Sequence, residues 1–529
     1  MKKTIALILI IILIFIFAGC EDKSEIVDNS DVSIEQGDNR YTDSGDNEIS
    51  VFSYKPDTFC PVVSRNNANL QMLNIVFEGL IRIDGEMLPQ PQLAESWSVS
   101  EDGSEWTVSL RKDVKWHSGE VFTARDVVYT VNQIKNNAES FYAYNVLQIE
   151  EVIVQGQNKV VFKLLEPNPN FISILYFPII KYYDAYIEKE SYRPIGTGPY
   201  VFEDRNEGNI YYLTANGSWW NGKAATDVIK VKLLPDKDTA LYAFSSGSID
   251  MTLAENFNWG KSVDKESSSS VEIKSPVYDF IGINHNNTVL AMEEVRTAIS
   301  YALDRDEIID EVMMGNAVSA SAPVREEWFV CGGQKFEFKQ NTKLARETLL
   351  ENGWRLSEAK YRKKVDGRDY KLKFDILIND DNTIRTNMAQ IIEKNLEEFG
   401  MEITITKVPY ETYIERINNG KYDAFIGSCF VPADLKPDFV TGQNNAFGFK
   451  DEEFDFVMEE LKAKTVPKEI IQSYAEIINL FNQLNPVVGL VFENQTLIYN
   501  NRISGKVIPS YFDIYEGIEG LSVKGADGE

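Results

Sequence analysis

Residues 94–127 read AESWSVSEDGSEWTVSLRKDVKWHSGEVFTARDV, and this stretch decides the fold. Trp97, Trp106 and Trp116 recur nine and ten residues apart. Glu101-Asp102-Gly103-Ser104 between the first two is a turn signal. After it Trp106, Val108 and Leu110 alternate with Thr107 and Ser109, the period of a half-buried strand. His117-Ser118-Gly119-Glu120 is a second turn. Thr123 and Asp126 form a T-x-x-D helix start, in which hydroxyl and acid satisfy free backbone N–H groups. The order turn, strand, turn, helix predicts a small β-meander that feeds a helix.

Working outward, Met1-Lys2-Lys3 precedes fourteen apolar residues, 5–18. That is short for a membrane-spanning helix, which needs about 20, and suits the apolar region of a signal peptide. Phe17-Ala18-Gly19-Cys20 resembles a bacterial lipobox, which implies cleavage before Cys20 and its diacylation. Residues 21–48 hold ten acids, two bases and one aromatic, Tyr41. So little apolar surface cannot offset the entropy of ordering, and a disordered acidic tether is expected over 20–46.

The formal charge is −28, and loss of residues 1–19 removes two of 53 basic groups and none of 81 acidic ones, leaving −30. Such a balance excludes a nucleic-acid partner, which needs a basic face. The remaining length exceeds what one core supports, so several domains are expected. Beyond Cys20 the only cysteines are Cys60, Cys331 and Cys429, far apart and without a CxxC, which allows at most one disulfide of undetermined pairing. Two histidines, His117 and His285, argue against a zinc site and no metal is expected.

Further along, residues 47–54 read as a strand, 69–80 as a helix, and 151–165 as two strands. Residues 228–233 are a strand and 238–244 a helix; 279–284 is a strand and 293–303 a helix. Asp304 and Glu307 start another helix, and 371–377, 383–399, 402–408, 411–418 and 422–427 alternate strand and helix. This alternation predicts an α/β domain with parallel pairings.

Several blocks carry a resemblance. The 94–127 segment, Gly196-Thr197-Gly198-Pro199-Tyr200, the run from Trp219-Trp220-Asn221-Gly222-Lys223 to Ile249-Asp250, and Val295-Arg296…Asp304-Arg305 occur in one order. Together they resemble the family 5 extracellular solute-binding proteins, the peptide-, dipeptide- and nickel-binding components of ABC importers. The resemblance implies an α/β, two-lobe periplasmic-binding-protein-like fold of class II type with an extra small α/β domain. It implies lobe I at 47–80, 197–280 and 497–529, the small domain at 81–196, and lobe II at 281–496. The expected activity is capture of a small polar solute, foremost an oligopeptide or dipeptide, and its delivery to a membrane permease. A monomer with no cofactor is expected. A surface-anchored sensor or adhesion component would use the same cleft.

No GxSxG, P-loop or HExxH is present, and Cys429 has no histidine in a context that suggests a base, so no enzyme is expected. Ligand contacts are expected where strands end in open α/β sheets. There the chain has Ser428, Cys429 and Asp434. Peptide-binding relatives carry a G-W-x-x-D-Y-x-x-P pattern, in which the tryptophan packs on ligand and the aspartate holds the amino terminus. Ser428 stands at the tryptophan position and Asp434 comes three residues late. Tyr54 and Tyr511 are further candidates by position.

Overall fold

The computed structural model describes residues 47–182, 192–206, 208–254, 260, 263–335, 339–436, 438–440 and 445–524. The apolar leader, Cys20 and the acidic segment before Asn47 lie outside the described residues. Two compact units divide the chain. Of the described residues, a continuous unit holds 275–494, and a split unit holds those from 47 to 274 together with 495 onward. Both boundaries fall inside long strands, Ser268–Ile283 and Val487–Asn500.

In the split unit the meander forms as its alternation predicts. Ala94–Val99 pairs antiparallel with Glu105–Leu110, and Lys159–Leu164 and Ile149–Val154 complete a four-stranded sheet. Trp106, Val108 and Leu110 point into the core. Thr123 caps the helix Ala124–Asn136: its N–H reaches Asp126 Oδ2 at 2.7 Å and its hydroxyl the same oxygen at 3.0 Å. Asp126 Oδ1 also accepts the Tyr182 N–H at 2.8 Å, so the cap doubles as a tertiary tie.

The glycines of the 196–200 turn have a steric cause. A Cβ on Gly196 would fall 1.8 Å from the Val76 carbonyl oxygen, and one on Gly198 2.7 Å from it. His117 pins this turn from the other side. Its Nδ1 accepts the Gly196 N–H at 3.3 Å, which leaves Nε2–H to donate to the Gly198 carbonyl at 3.0 Å. The same turn explains a difference from the sequence reading. The expected helix over 69–80 ends at Leu73, and the Gly198 N–H takes the Val76 carbonyl at 2.9 Å. A tertiary bond has replaced helix propagation.

A second sheet orders Glu48–Ser53, Val228–Leu233, Ile210–Ala215 and Tyr200–Asn206, with the first pair parallel. The C-terminal return is fastened to it by Arg502, which donates from Nε to Asp250 Oδ1 at 2.6 Å and from Nη2 to Asp250 Oδ2. Asp250 is 1% exposed and also accepts the Ser50 N–H at 2.8 Å. Three chain segments thus meet at one carboxylate.

The continuous unit orders its strands Val487–Asn500, Ser268–Ile283, Ala424–Phe430, Lys373–Asn379 and Glu402–Val408. The last three run parallel to one another, linked through the helices Thr383–Phe399 and Tyr410–Asn418. Asn382 caps the first helix and Gly400, at φ 111°, ends it in the left-handed conformation. The arginines of the 295–305 motif are structural. Buried Arg296 donates to the Leu484 carbonyl at 2.9 and 2.8 Å and to that of Asn485 at 3.1 Å, closing the C-terminus of the helix Pro467–Leu484. Arg305 reaches the Gly489 and Ser300 carbonyls, each at 2.9 Å.

Asp250→Asn breaks the bidentate pair and leaves Arg502 without its counter-charge. Urea unfolding should show a loss of about 2–4 kcal/mol, at the lower side of the range for a fully buried pair because Arg502 is partly exposed. An unchanged midpoint would show that strand pairing alone retains the return segment.

Candidate functional site: a polar rim at the carboxyl ends of parallel strands

The strands Lys373–Asn379, Glu402–Val408 and Ala424–Phe430 end on one edge of the sheet of the continuous unit, where crevices form in open α/β sheets. Asn379 is the last residue of its strand, and Arg385 lies in the first turn of the helix that follows. Arg385 Nη1 donates to Asn379 Oδ1 at 2.8 Å and Nη2 to Ser428 Oγ at 3.3 Å. Its Cζ lies 5.5 Å from the Tyr413 ring centroid. Arg385 is 7% exposed, and its Nε has no hydrogen-bond partner.

Ser428 in turn donates to Asp279 Oδ1, directly opposite it in the antiparallel register. Asp279 is 3% exposed, and its Oδ2 has no donor among the described residues. Beside it stands Glu493, on the strand Val487–Asn500. Burial above all, and then the Asp279 charge, push the Glu493 carboxyl above the carboxylate range. Burial raises Asp279 too, against the pull of Ser428 and Arg385. The two carboxyls titrate as a pair and hold one proton near neutrality.

The five residues singled out from sequence fall in two places. Ser428 and Cys429 lie within the strand Ala424–Phe430, which runs on past the 427 expected, and Ser428 belongs to the rim. Burial and the Asp279 charge raise the Cys429 thiol far above its usual range, so it is no thiolate nucleophile. Asp434 follows that strand, its side chain wholly buried with Lys436 Nζ 3.9 Å away. Its neighbour Leu435 sits at φ 57°, a left-handed conformation held while Tyr474 donates from its hydroxyl to the Leu435 carbonyl at 3.1 Å. Tyr54 and Tyr511 are both in the split unit. Tyr54 packs edge-on against Phe52 at 5.7 Å, and Tyr511 against Phe512 at 5.8 Å. Asp279, Arg385 and Glu493 were missed, although a lone acid inside VYDFIGI and another inside LVFENQ were visible signals.

The split unit holds a cavity of about 340 Å³ lined by Glu78, Arg111, Trp219, Trp220, Asp513 and Glu519, among others. Glu78 accepts the indole N–H of Trp220 at 3.0 Å and that of Trp219 at 3.3 Å. Arg111 Cζ lies 3.9 Å from the Trp220 ring centroid. Burial lifts Glu78 to about 7, and Asp513 likewise to about 7. Cys331 and Cys429 are free thiols, and among the described residues no three His, Cys, Asp or Glu side chains are placed to hold a metal ion. His285 Nε2 is engaged by the Pro486 carbonyl at 2.8 Å, and both ring nitrogens of His117 by backbone.

Residues 89–448 match the family described as bacterial extracellular solute-binding proteins, family 5 Middle. The chain belongs to this family. Family 5 proteins are binding proteins with the two-lobe fold, and they work outside the cytoplasm. Oligopeptide-binding protein AppA of Bacillus subtilis (strain 168) is 26% identical over 544 aligned positions, covering 96% of each chain. Dipeptide-binding protein DppE of the same organism is 25% identical, covering 86% of this chain and 88% of its own. The crystal structure of a nickel ABC transporter from Bacillus halodurans superposes with TM-score 0.77 at 23% identity, over 90% of this chain and 100% of that one. This last likeness is one of fold.

The Glu78 geometry sets a pH dependence for this family 5 chain. A carboxyl raised from 4.5 to about 7 binds its proton more tightly in the folded state. The stabilisation is fully present below pH 4.5 and is lost as pH rises through 7. Glu78→Gln keeps an acceptor for both indoles but cannot ionise. Between pH 4.5 and 8 the stability difference between wild type and variant should shift by roughly 3 kcal/mol in favour of the variant. Parallel stability–pH curves for the two proteins would show that Glu78 does not titrate there.

Proposed function

We propose that this chain is the lipid-anchored receptor of an ABC importer and that its solute is a short peptide. The observation that carries the reading is the rim of the continuous unit. A guanidinium, two carboxyls and a hydroxyl converge at the carboxyl ends of parallel strands, with neither a nucleophile–base set nor a metal cluster among the described residues. Such a surface suits a small polar molecule held by hydrogen bonds and charge. The relatives whose names specify oligopeptides and dipeptides support the peptide class. Ligand would favour one conformation of the protein through its differential affinity, and that conformation would engage the permease.

Asp434 is the proposed anchor for the peptide amino terminus. Its buried carboxylate has Lys436 Nζ at 3.9 Å, a counter-charge that an incoming ammonium would replace. A charge-assisted hydrogen bond of this kind contributes roughly 1.5–3 kcal/mol. Asp434→Asn should therefore weaken a free-amine peptide by about 10–150-fold in calorimetric titration. The same peptide acetylated at its amine should bind the two proteins alike, which also reports on folding. Equal binding of the free-amine peptide to both proteins would make Asp434 a structural acid.

Anchoring rests on the apolar leader and Gly19-Cys20. Cys20→Ser, expressed in a bacterial host that processes lipoproteins, should lose incorporation of labelled fatty acid. Equal labelling of wild type and variant would reject the anchor.

A further inference from the structure

We propose that the Asp279–Glu493 pair is a subsite for one positive charge on the ligand, so that the protein selects peptides bearing a lysine or arginine side chain. The inference rests on the peptide reading above and specifies its substrate class.

The argument is one of charge and unmet hydrogen bonds. The cluster holds Asp279, Glu493 and Arg385. With both acids ionised it is one positive charge short. Arg385 cannot supply the missing charge, because it is already the single cation counted and its Nη groups are committed to Asn379 and Ser428. Buried Arg325 also approaches the pair, but its Nη1 is given to the Ser275 and Glu493 carbonyls and to Asn494 Oδ1, and Asp381 accepts the Asn379 side-chain amide beside Arg385. Cys429, on the strand opposite, and Tyr413, on the helix Tyr410–Asn418, are both raised by burial and uncharged. Tyr278, on the same strand as Asp279, is uncharged as well, and Arg305 beyond it is spent on the carbonyls of Gly489 and Ser300.

A buried charge that is not matched costs several kcal/mol and is avoided. The cluster therefore takes up a cation, and in the absence of ligand that cation is a proton. Asp279 Oδ2, buried and without a donor, marks where it is needed. An ammonium or guanidinium brings the same charge together with several N–H donors. Its arrival releases the proton to solvent, one positive charge for another, with no bond made or broken beyond the O–H. Glu493 is only partly buried, which leaves the pair a face for the exchange.

The exchange makes affinity depend on pH in a stated direction. The proton competes with the ligand cation, and apparent affinity falls in proportion to the deprotonated fraction. A lysine side chain remains charged until about pH 10, so the ligand itself does not titrate in this window.

The test uses trialanine peptides in which each position in turn is lysine or its uncharged isostere norleucine, titrated calorimetrically at pH 5.5 and 8.5 in buffers of differing protonation enthalpy. For wild type at pH 8.5, where the pair is already largely ionised, lysine at one position should bind about tenfold or more tightly than norleucine with little proton release, and release of close to one proton should appear at pH 5.5. The gap should narrow at pH 5.5. Glu493→Gln, which keeps shape and a permanent donor to Asp279, should lose both the lysine preference and the proton release, with its circular dichroism spectrum reporting the native fold. Equal binding of lysine and norleucine peptides by wild type at pH 8.5, or an undiminished preference in Glu493→Gln, overturns the inference and leaves the peptide reading standing. Binding of neither peptide at millimolar concentration overturns the peptide reading and this inference with it.

Discussion

The bidentate pair between Asp250 and Arg502 is the constraint from which the rest of the structure follows. The split unit is interrupted by a continuous run of 220 residues, 275–494, and exists only if the chain beyond that run is recaptured. Closing a loop of that length costs roughly 5 kcal/mol of chain entropy, since the cost grows only with the logarithm of length. The fork between buried Asp250 and partly exposed Arg502, together with the pairing of Met251–Ala254 with the strand Val487–Asn500, acts against that cost. The Ser50 N–H on the same carboxylate ties the first strand to the recaptured one. A large insertion can then sit between two strands without loosening the unit that carries it.

That insertion is the continuous unit, and its chemistry follows from its topology. Parallel strands place their carboxyl ends, and the N-termini of the helices that follow, on one edge. Arg385 reaches that edge from the first turn of its helix and Ser428 from within its strand, and Asp279 and Glu493 meet them from antiparallel neighbours. The groups form a polar patch whose members are held by one another and by backbone. Burial raises the Cys331 and Cys429 thiols, and both histidines spend ring nitrogens on main-chain groups.

Local signals were read well where local physics decides. The helix Thr383–Phe399 has its Asn382 cap, its apolar spacing and its terminal Gly400 in sequence, and its bounds were legible to the residue. The Thr123–Asp126 box and the alternation at Trp106, Val108 and Leu110 were equally direct. The helix expected over 69–80 was cut at Leu73 because Gly198, over a hundred residues away, takes the Val76 carbonyl. The strand that carries Ser428 runs to Phe430 because Val277 pairs with it there. Both errors come from partners distant in the chain.

The site divides along the same line. Sequence by itself determined the leader-like segment, the acidic balance, the order of strands and helices, and the family, because each depends on composition, short-range periodicity or spacing of motifs. It also located Ser428 and Asp434 as residues near strand ends. Only the tertiary structure decided that Ser428 bridges Asp279 and Arg385, and that Glu493, sixty-five positions from Ser428, completes the cluster. An isolated acid in an apolar strand carries no sign of which charge it will face. Burial and the neighbouring field set its protonation, and both are properties of strands brought together by folding rather than of the residues that flank it.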